Sequence, residues 1–171
     1  MTPAIRALSP DDVEGFRDLR LAALQDSPEA FASSYALERE RPLALFAERL
    51  GQANDSLVVG AFLGGALVGM SGFYRDSHTK MRHRGHVWGM FVRPESRGQG
   101  LGRGLLDALV THAASLDGLF QVNLEVVSSN TAALGLYESR GFERFGVERR
   151  ALIVEGQALD EVLLVLALTP F

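Results

Sequence analysis

The sequence predicts an α/β domain built on a mixed β-sheet, and three observations carry that reading. Short apolar runs of strand length alternate along the chain with stretches of helical periodicity. At 171 residues with 47% hydrophobic content, the chain is long enough to bury one real core. No repeat, low-complexity tract or linker interrupts it, so residues 1–171 read as a single domain.

The elements follow in order. "AIRAL" near the N-terminus reads as a short strand. "SPDDVEGFRDLRLAAL" reads as a helix with Ser9 as N-cap, Pro10 at the first position and acidic residues in the first turn. "SPEAFASSY" at 27–35 breaks that pattern, and a second helix is predicted around Pro42–Leu50. "SLVVGAFLGGALVGMSGFYR" reads as two strands joined by a tight turn at Gly64-Gly65. After the polar connection "DSHTKMRHRG" come a strand at 86–92, a helix at about 99–116, a strand at 119–127 and a helix at 131–140. The last helix has Asn130 as cap and Gly141 at its end, and two strands follow near 143–154 and 158–168.

Composition narrows the function classes. The chain has no cysteine, which removes disulfide scaffolds, cysteine–zinc sites and thiol nucleophiles together. A net charge of −4 gives no reason to expect nucleic acid. No stretch has the length of a signal peptide core or a membrane span, so a soluble, cytoplasmic protein with no membrane partner is expected. His78, His83 and His86 lack a companion ligand in metal-binding spacing, and no metal is expected. Charge is uneven, however. Residues 75–103 carry Arg75, Lys80, Arg82, Arg84, Arg93, Arg97 and Arg103 against Asp76 and Glu95. Such a segment in an acidic chain either attracts a compact polyanion, such as a phosphorylated cofactor, or is a solvated basic hairpin.

The polyanion reading gains from "RGQGLGRG", which lies between a predicted strand and a predicted helix. There the first helical N–H groups have no intrahelical partner and the helix dipole favours an anion. Leu101, Leu105, Leu109 and Ala113 recur every four residues, so one face is buried and the direction of those N–H groups is set. Arg97 and Arg103 can add charge-assisted contacts. Neither the dinucleotide spacing nor the P-loop spacing fits, so the loop is a phosphate cradle of another kind.

Arg97-Gly98-Gln99-Gly100-Leu101-Gly102 has the R/Q-x-x-G-x-G/A spacing of the acetyl-CoA site in the GNAT superfamily of N-acetyltransferases. A second block, "LEVVSSNTAALGLYESRGF" at 124–142, resembles the strand and helix that follow it in that family. The resemblance is most specific over 86–142 and loosest before residue 55. It implies a three-layer domain, a central mixed β-sheet flanked by helices. It also implies transfer of an acetyl group from acetyl-CoA, a co-substrate, to a primary amine by direct attack in a ternary complex. The acceptor is a small-molecule amine or a peptide or protein amine; the alternative is an acyl-CoA-binding regulatory module without turnover. A homodimer is a further expectation, and "LDEVLLVLAL" is apolar enough for a central strand or a subunit contact.

Roles for individual residues follow from the same resemblance. Arg97, Gly98, Gln99, Gly100, Leu101, Gly102 and Arg103 would surround the pyrophosphate. Gly89 marks a bulge or a close approach of ligand, or makes room for Trp88 or Phe91. The backbone of Met90, Phe91 and Val92 would pair with pantetheine amides in a cavity between strands 86–92 and 119–127. Asn130 would bond the pantetheine arm, and the Tyr137 hydroxyl would donate a proton to the departing thiolate. His86 stands where many members place a carboxylate, so the general base is His86, Glu125 on the adjacent strand, or water alone. Phe31, Tyr35, Glu38 and Glu40 are candidate acceptor contacts.

Overall fold

Local side-chain chemistry sets where the first helix begins. The Ser9 N–H donates to Asp12 Oδ2 at 2.9 Å, and Pro10 opens a 3-10 turn over Pro10–Asp12. This turn leads into α1 (Val13–Asp26), so the predicted helix starts tighter than an α-helix. The computed structural model describes residues 3–51 and 55–169. The broken stretch after α1 holds a 3-10 turn at Pro28–Ala30 and a helix absent from the sequence prediction, α2 (Tyr35–Glu38), capped by Ser34 Oγ accepting from the Leu37 N–H at 3.3 Å. The remaining helices are α3 (Leu43–Leu50), α4 (Leu101–Ala114) and α5 (Thr131–Ser139).

Among the described residues seven strands form one mixed sheet: β1 (Ala4–Ala7), β2 (Ser56–Leu63), β3 (Ala66–Arg75), β4 (Arg84–Val92), β5 (Gln121–Val127), β6 (Glu143–Val154) and β7 (Gln157–Ala167). Their spatial order is β1-β2-β3-β4-β5-β7-β6, and every pairing is antiparallel except β4 with β5. The run "LDEVLLVLAL" supplies most of β7, between β5 and β6. Its apolar character fits a place inside the sheet. Among the described residues no helix is long and apolar enough to cross a membrane.

Helices cover both faces. The larger core joins the sheet to α4 and α5 through Leu105, Leu106, Leu109, Val122 and Leu164, all fully enclosed. The second joins it to α1 and α3 through Phe16, Leu19, Phe46 and Met70. Each such side chain contributes about 1.5–3 kcal/mol by leaving water.

One irregularity decides the rest of the geometry. Gly89 has φ +67°, and the β3–β4 register shifts there, so one extra residue is accommodated on β4. Trp88 and Phe91, three positions apart, consequently both pack toward α1, while Val87, Met90 and Val92 pack toward α4. Space for the Trp88 ring comes from Gly72 instead, where an added Cβ would lie 2.2 Å from Trp88 Cε2. At Gly89 an added Cβ would meet only Arg20 Nη1, at 3.6 Å.

Candidate active site

The bulge leads β4 away from β5. The two strands pair at Arg84–Gln121, Gly85–Val122 and His86–Asn123, after which they separate, as the family resemblance implies. Beyond the split lies a cleft of about 620 Å³ between the β4 end, the glycine-rich loop and α5. Met90, Phe91, Val92, Arg97, Gly98, Gly100, Leu101, Gly102, Arg103 and Asn130 all line it. Gln99 does not; its side-chain amide donates to the Ser96 carbonyl at 3.4 Å and serves the loop's own shape.

The loop glycines divide into two kinds. Gly98 and Gly100 have φ +77° and +76° and open space where a Cβ would be, so they turn the backbone and bare it toward the cleft. Gly100 is also the N-cap of α4, which explains why that helix starts at Leu101 rather than at 99. Gly104, by contrast, is a packing glycine: an added Cβ would lie 2.3 Å from Ile5 Cδ1. Arg97 is already engaged. Its Nε donates to the Val92 carbonyl at 2.9 Å and its Nη2 to Asp26 Oδ2 at 2.8 Å. One lone pair of the Val92 carbonyl is thus already engaged, and Arg97 ties the loop to the end of α1. Ser27 first, and Arg97 next, hold the Asp26 carboxyl below its ordinary pKa.

Asn130 caps α5 through Oδ1, which accepts from the Ala133 N–H at 3.1 Å. Its amide N–H₂ is not used by the cap, and the residue borders both the cleft and a narrow throat of about 80 Å³. Val87, Trp88, Gly89, Met90, Glu125 and Tyr137 also border this throat between the parted strands. Tyr137 is 5% exposed and packs edge-on against Phe142. Burial pushes its phenol well above the ordinary value.

On the α1 side the throat meets a second cavity of about 640 Å³. Val87, Trp88, Gly89 and Glu125 line both. His86 lies in the cavity but not in the throat; it stacks on Tyr74 at 4.8 Å, and its Nε2 is 3.0 Å from Asp76 Oδ2. Desolvation raises the Asp76 pKa, but His86 and Arg84 outweigh it and hold the carboxyl low. Glu161 on β7 lies across from Val127, diagonal to Glu125 on the same sheet face. Burial, then the neighbouring Glu125 and Glu148, raise the Glu161 pKa.

Phe31 and Glu38 line this cavity, whereas Tyr35 and Glu40 do not. Glu40 is exposed and pairs with Arg39 at 2.8 Å. Sequence reasoning missed Arg20 and Glu161. Arg20 was discoverable, because it falls within the buried α1 stripe of Phe16, Leu19, Ala23 and Leu24. Glu161 depends on the β5–β7 register, which has no local signal. Among the described residues no group of three or more His, Asp or Glu is placed to hold a metal.

The profile of the Acetyltransferase (GNAT) family matches residues 20–142, which includes the loop, the throat and α5. The chain belongs to the GNAT acetyltransferase family. It is 40% identical over 116 residues to the N-alpha-acetyltransferase RimI of Mycobacterium tuberculosis, covering 67% of this chain and 69% of that protein. Mycothiol acetyltransferase of Kocuria rhizophila is 48% identical over 64 residues, 37% of this chain but only 21% of its own length. The structure of yncA from Salmonella typhimurium with its cofactor acetyl-CoA superposes with a TM-score of 0.86 at 23% identity, covering 100% of this chain and 96% of that one. That likeness concerns the fold, a mixed sheet with helices on both faces, which the GNAT chain shares throughout.

Proposed function

We propose that this GNAT protein transfers the acetyl group of acetyl-CoA to a primary amine by direct attack, with both substrates bound together. The observation that carries this reading is the throat, which joins the loop-lined cleft to the second cavity through the sheet at Tyr137 and Glu125. The cleft suits the cofactor on this chain's own evidence: two left-handed glycines with open space beside them, the N-terminus of α4 and the Arg103 guanidinium on one wall. Bound there, acetyl-CoA supplies an activated thioester. The Asn130 amide, not used by the cap, would hold the pantetheine arm.

The acceptor amine occupies the second cavity, and its ammonium must lose a proton before nitrogen can attack. Glu125 suits the base role because it borders both the cavity and the throat. His86 is set back against Tyr74 and Asp76, an arrangement suited to passing the proton outward through water. A carbon–nitrogen bond forms and the carbon–sulfur bond breaks. Tyr137, kept protonated by its burial, gives its proton to the departing thiolate. With no cysteine in the chain, an acyl-cysteine intermediate is excluded.

The test is thiol release from acetyl-CoA with a panel of amines, amino-acid derivatives and N-terminal peptides, measured against an acceptor-free control. Acceptor-dependent release is expected. Calorimetric binding of acetyl-CoA with no release for any amine overturns the reading and leaves a binding module.

A further inference from the structure

Arg20 is the only charged residue in the buried face of α1, and its own partners do not saturate it. Its Nε and Nη2 donate to the two oxygens of Glu38 at 3.1 and 2.9 Å, a buried bidentate pair. The third nitrogen, Nη1, is buried without a hydrogen-bond partner. The whole residue is 6% exposed. An unpartnered buried donor costs about 1–3 kcal/mol, which a ligand group accepting from it in the cavity would recover. Arg20 lines the second cavity, and Nη1 is the nitrogen that faces Gly89, where cavity and throat meet.

The surrounding charges show which ligand group that is. The helical wall of the cavity brings Arg20, Arg41 and Arg49 against Glu38 and Glu48, leaving positive charge in excess. Arg49 lies 3.6 Å from the same Glu38 carboxylate, which is therefore shared between two guanidiniums. The sheet wall brings Glu125 and Glu161, both acidic. A ligand bridging these walls needs an anionic end toward Arg20 and a cationic end toward Glu125.

We propose that the acceptor is a small amino-carboxylate, of the free α-amino acid class, whose carboxylate is bound by Arg20 Nη1 while its amine faces Glu125 at the throat. This deepens the acetyl transfer proposed above and rests on it. Nη1 lies beside the throat, so the carboxylate is held close to the reacting nitrogen, as an α-amino acid requires. A peptide N-terminus has an amide at that place and cannot return the charge. The overall reaction releases the thiol and yields an N-acetyl amino acid, with no further reactant.

The experiment compares kcat/KM for L-amino acids with their α-carboxamides and with the corresponding decarboxylated amines, using the unaltered enzyme. A preference for the carboxylates of about 10-fold to 100-fold is expected, the scale of one hydrogen bond to a charged group. The comparison is conservative, because the amine of a carboxamide is less basic and loses its proton more readily. Release with amides or simple amines that equals or exceeds release with carboxylates overturns the proposal while leaving acetyl transfer intact. No transfer to any amine removes the underlying reading as well. The double variant Arg20→Met/Glu38→Leu, which replaces the buried pair by apolar groups, is expected to abolish the carboxylate preference. A loss shared equally by carboxylates and amides in that variant also overturns the proposal, since Nη1 would then serve a group present whatever the acceptor, such as the thioester carbonyl of acetyl-CoA.

Discussion

Tyr137→Phe isolates the hydroxyl at the throat with the least disturbance to the fold. The ring is 5% exposed and packs against Phe142 with centroids 5.8 Å apart, contacts a phenylalanine retains. Its removal therefore takes away one oxygen and one proton, not packing area. If the hydroxyl protonates the leaving thiolate, kcat falls by about 100-fold or more, the lower range for a positioned general acid. A 100-fold loss corresponds to about 2.7 kcal/mol of transition-state stabilisation. KM for acetyl-CoA should hold, because the cleft residues that surround the loop do not include Tyr137. The loss should also be independent of pH across the neutral range, since burial lifts the phenol above its ordinary value and it stays protonated throughout. Thiol release at saturating acetyl-CoA gives kcat, and a thermal melt checks the fold. An unchanged kcat in a variant with an unchanged melt refutes the proton-donor role.

Three further outcomes follow from the geometry. Glu161→Gln should raise KM for cationic acceptors by about fivefold, the upper end for a solvent-touching ion pair, as steady-state kinetics would show. Because burial and two neighbouring carboxylates raise the Glu161 pKa above 4.5, the folded state binds this proton more readily than the unfolded chain. The wild type therefore loses stability as pH rises above 4.5 through the raised value, and the variant should lack that loss in melts run across pH. Gly100→Ala meets no atom within 4 Å, so its cost is the left-handed conformation alone, about 1–2 kcal/mol. A lower melting temperature with a higher KM for acetyl-CoA would show this. Gly72→Ala puts a Cβ 2.2 Å from Trp88 Cε2 and should cost about 1–3 kcal/mol. Trp88 lines the cavity and the throat, so acceptor KM should change while acetyl-CoA KM does not.

Much of the fold was legible because its signals are local. The leucine repeat of α4, the Asn130 cap of α5 and the Gly64-Gly65 turn each depend on residues within a few positions of one another. The bulge on β4 was legible through Gly89, and its splay from β5 through the family resemblance, although the space for Trp88 comes from Gly72, a residue 17 positions earlier on the neighbouring strand. Gln99 shows the limit of motif reading. It stands inside the glycine-rich pattern, yet its side chain closes the loop on Ser96. Arg97 is similar: the spacing suggests a free charge, but Asp26 from the end of α1 already meets it.

The acceptor side was the least legible because its walls come from elements far apart in the chain. Arg20 on α1, Glu38 at the end of α2, Glu125 on β5 and Glu161 on β7 converge only when the sheet is assembled with β7 beside β5. Glu38 and Glu125 are candidates from the sequence, whereas Arg20 and Glu161 each read alone as an ordinary helix or strand residue. Their positions differ in one physical respect that a sequence cannot express, which is how fully each charge is answered. The Glu38 carboxylate is answered twice, by Arg20 and Arg49. Among the described residues no cation pairs with Glu125 or Glu161, and the two carboxylates repel one another. Arg20 Nη1 has no hydrogen-bond partner among the described residues, although the guanidinium lies over the Phe31 ring at 4.8 Å. Opposite unmet demands on facing walls of one cavity define a ligand by its charges before its shape is known, and an amine with a nearby carboxylate meets both at once.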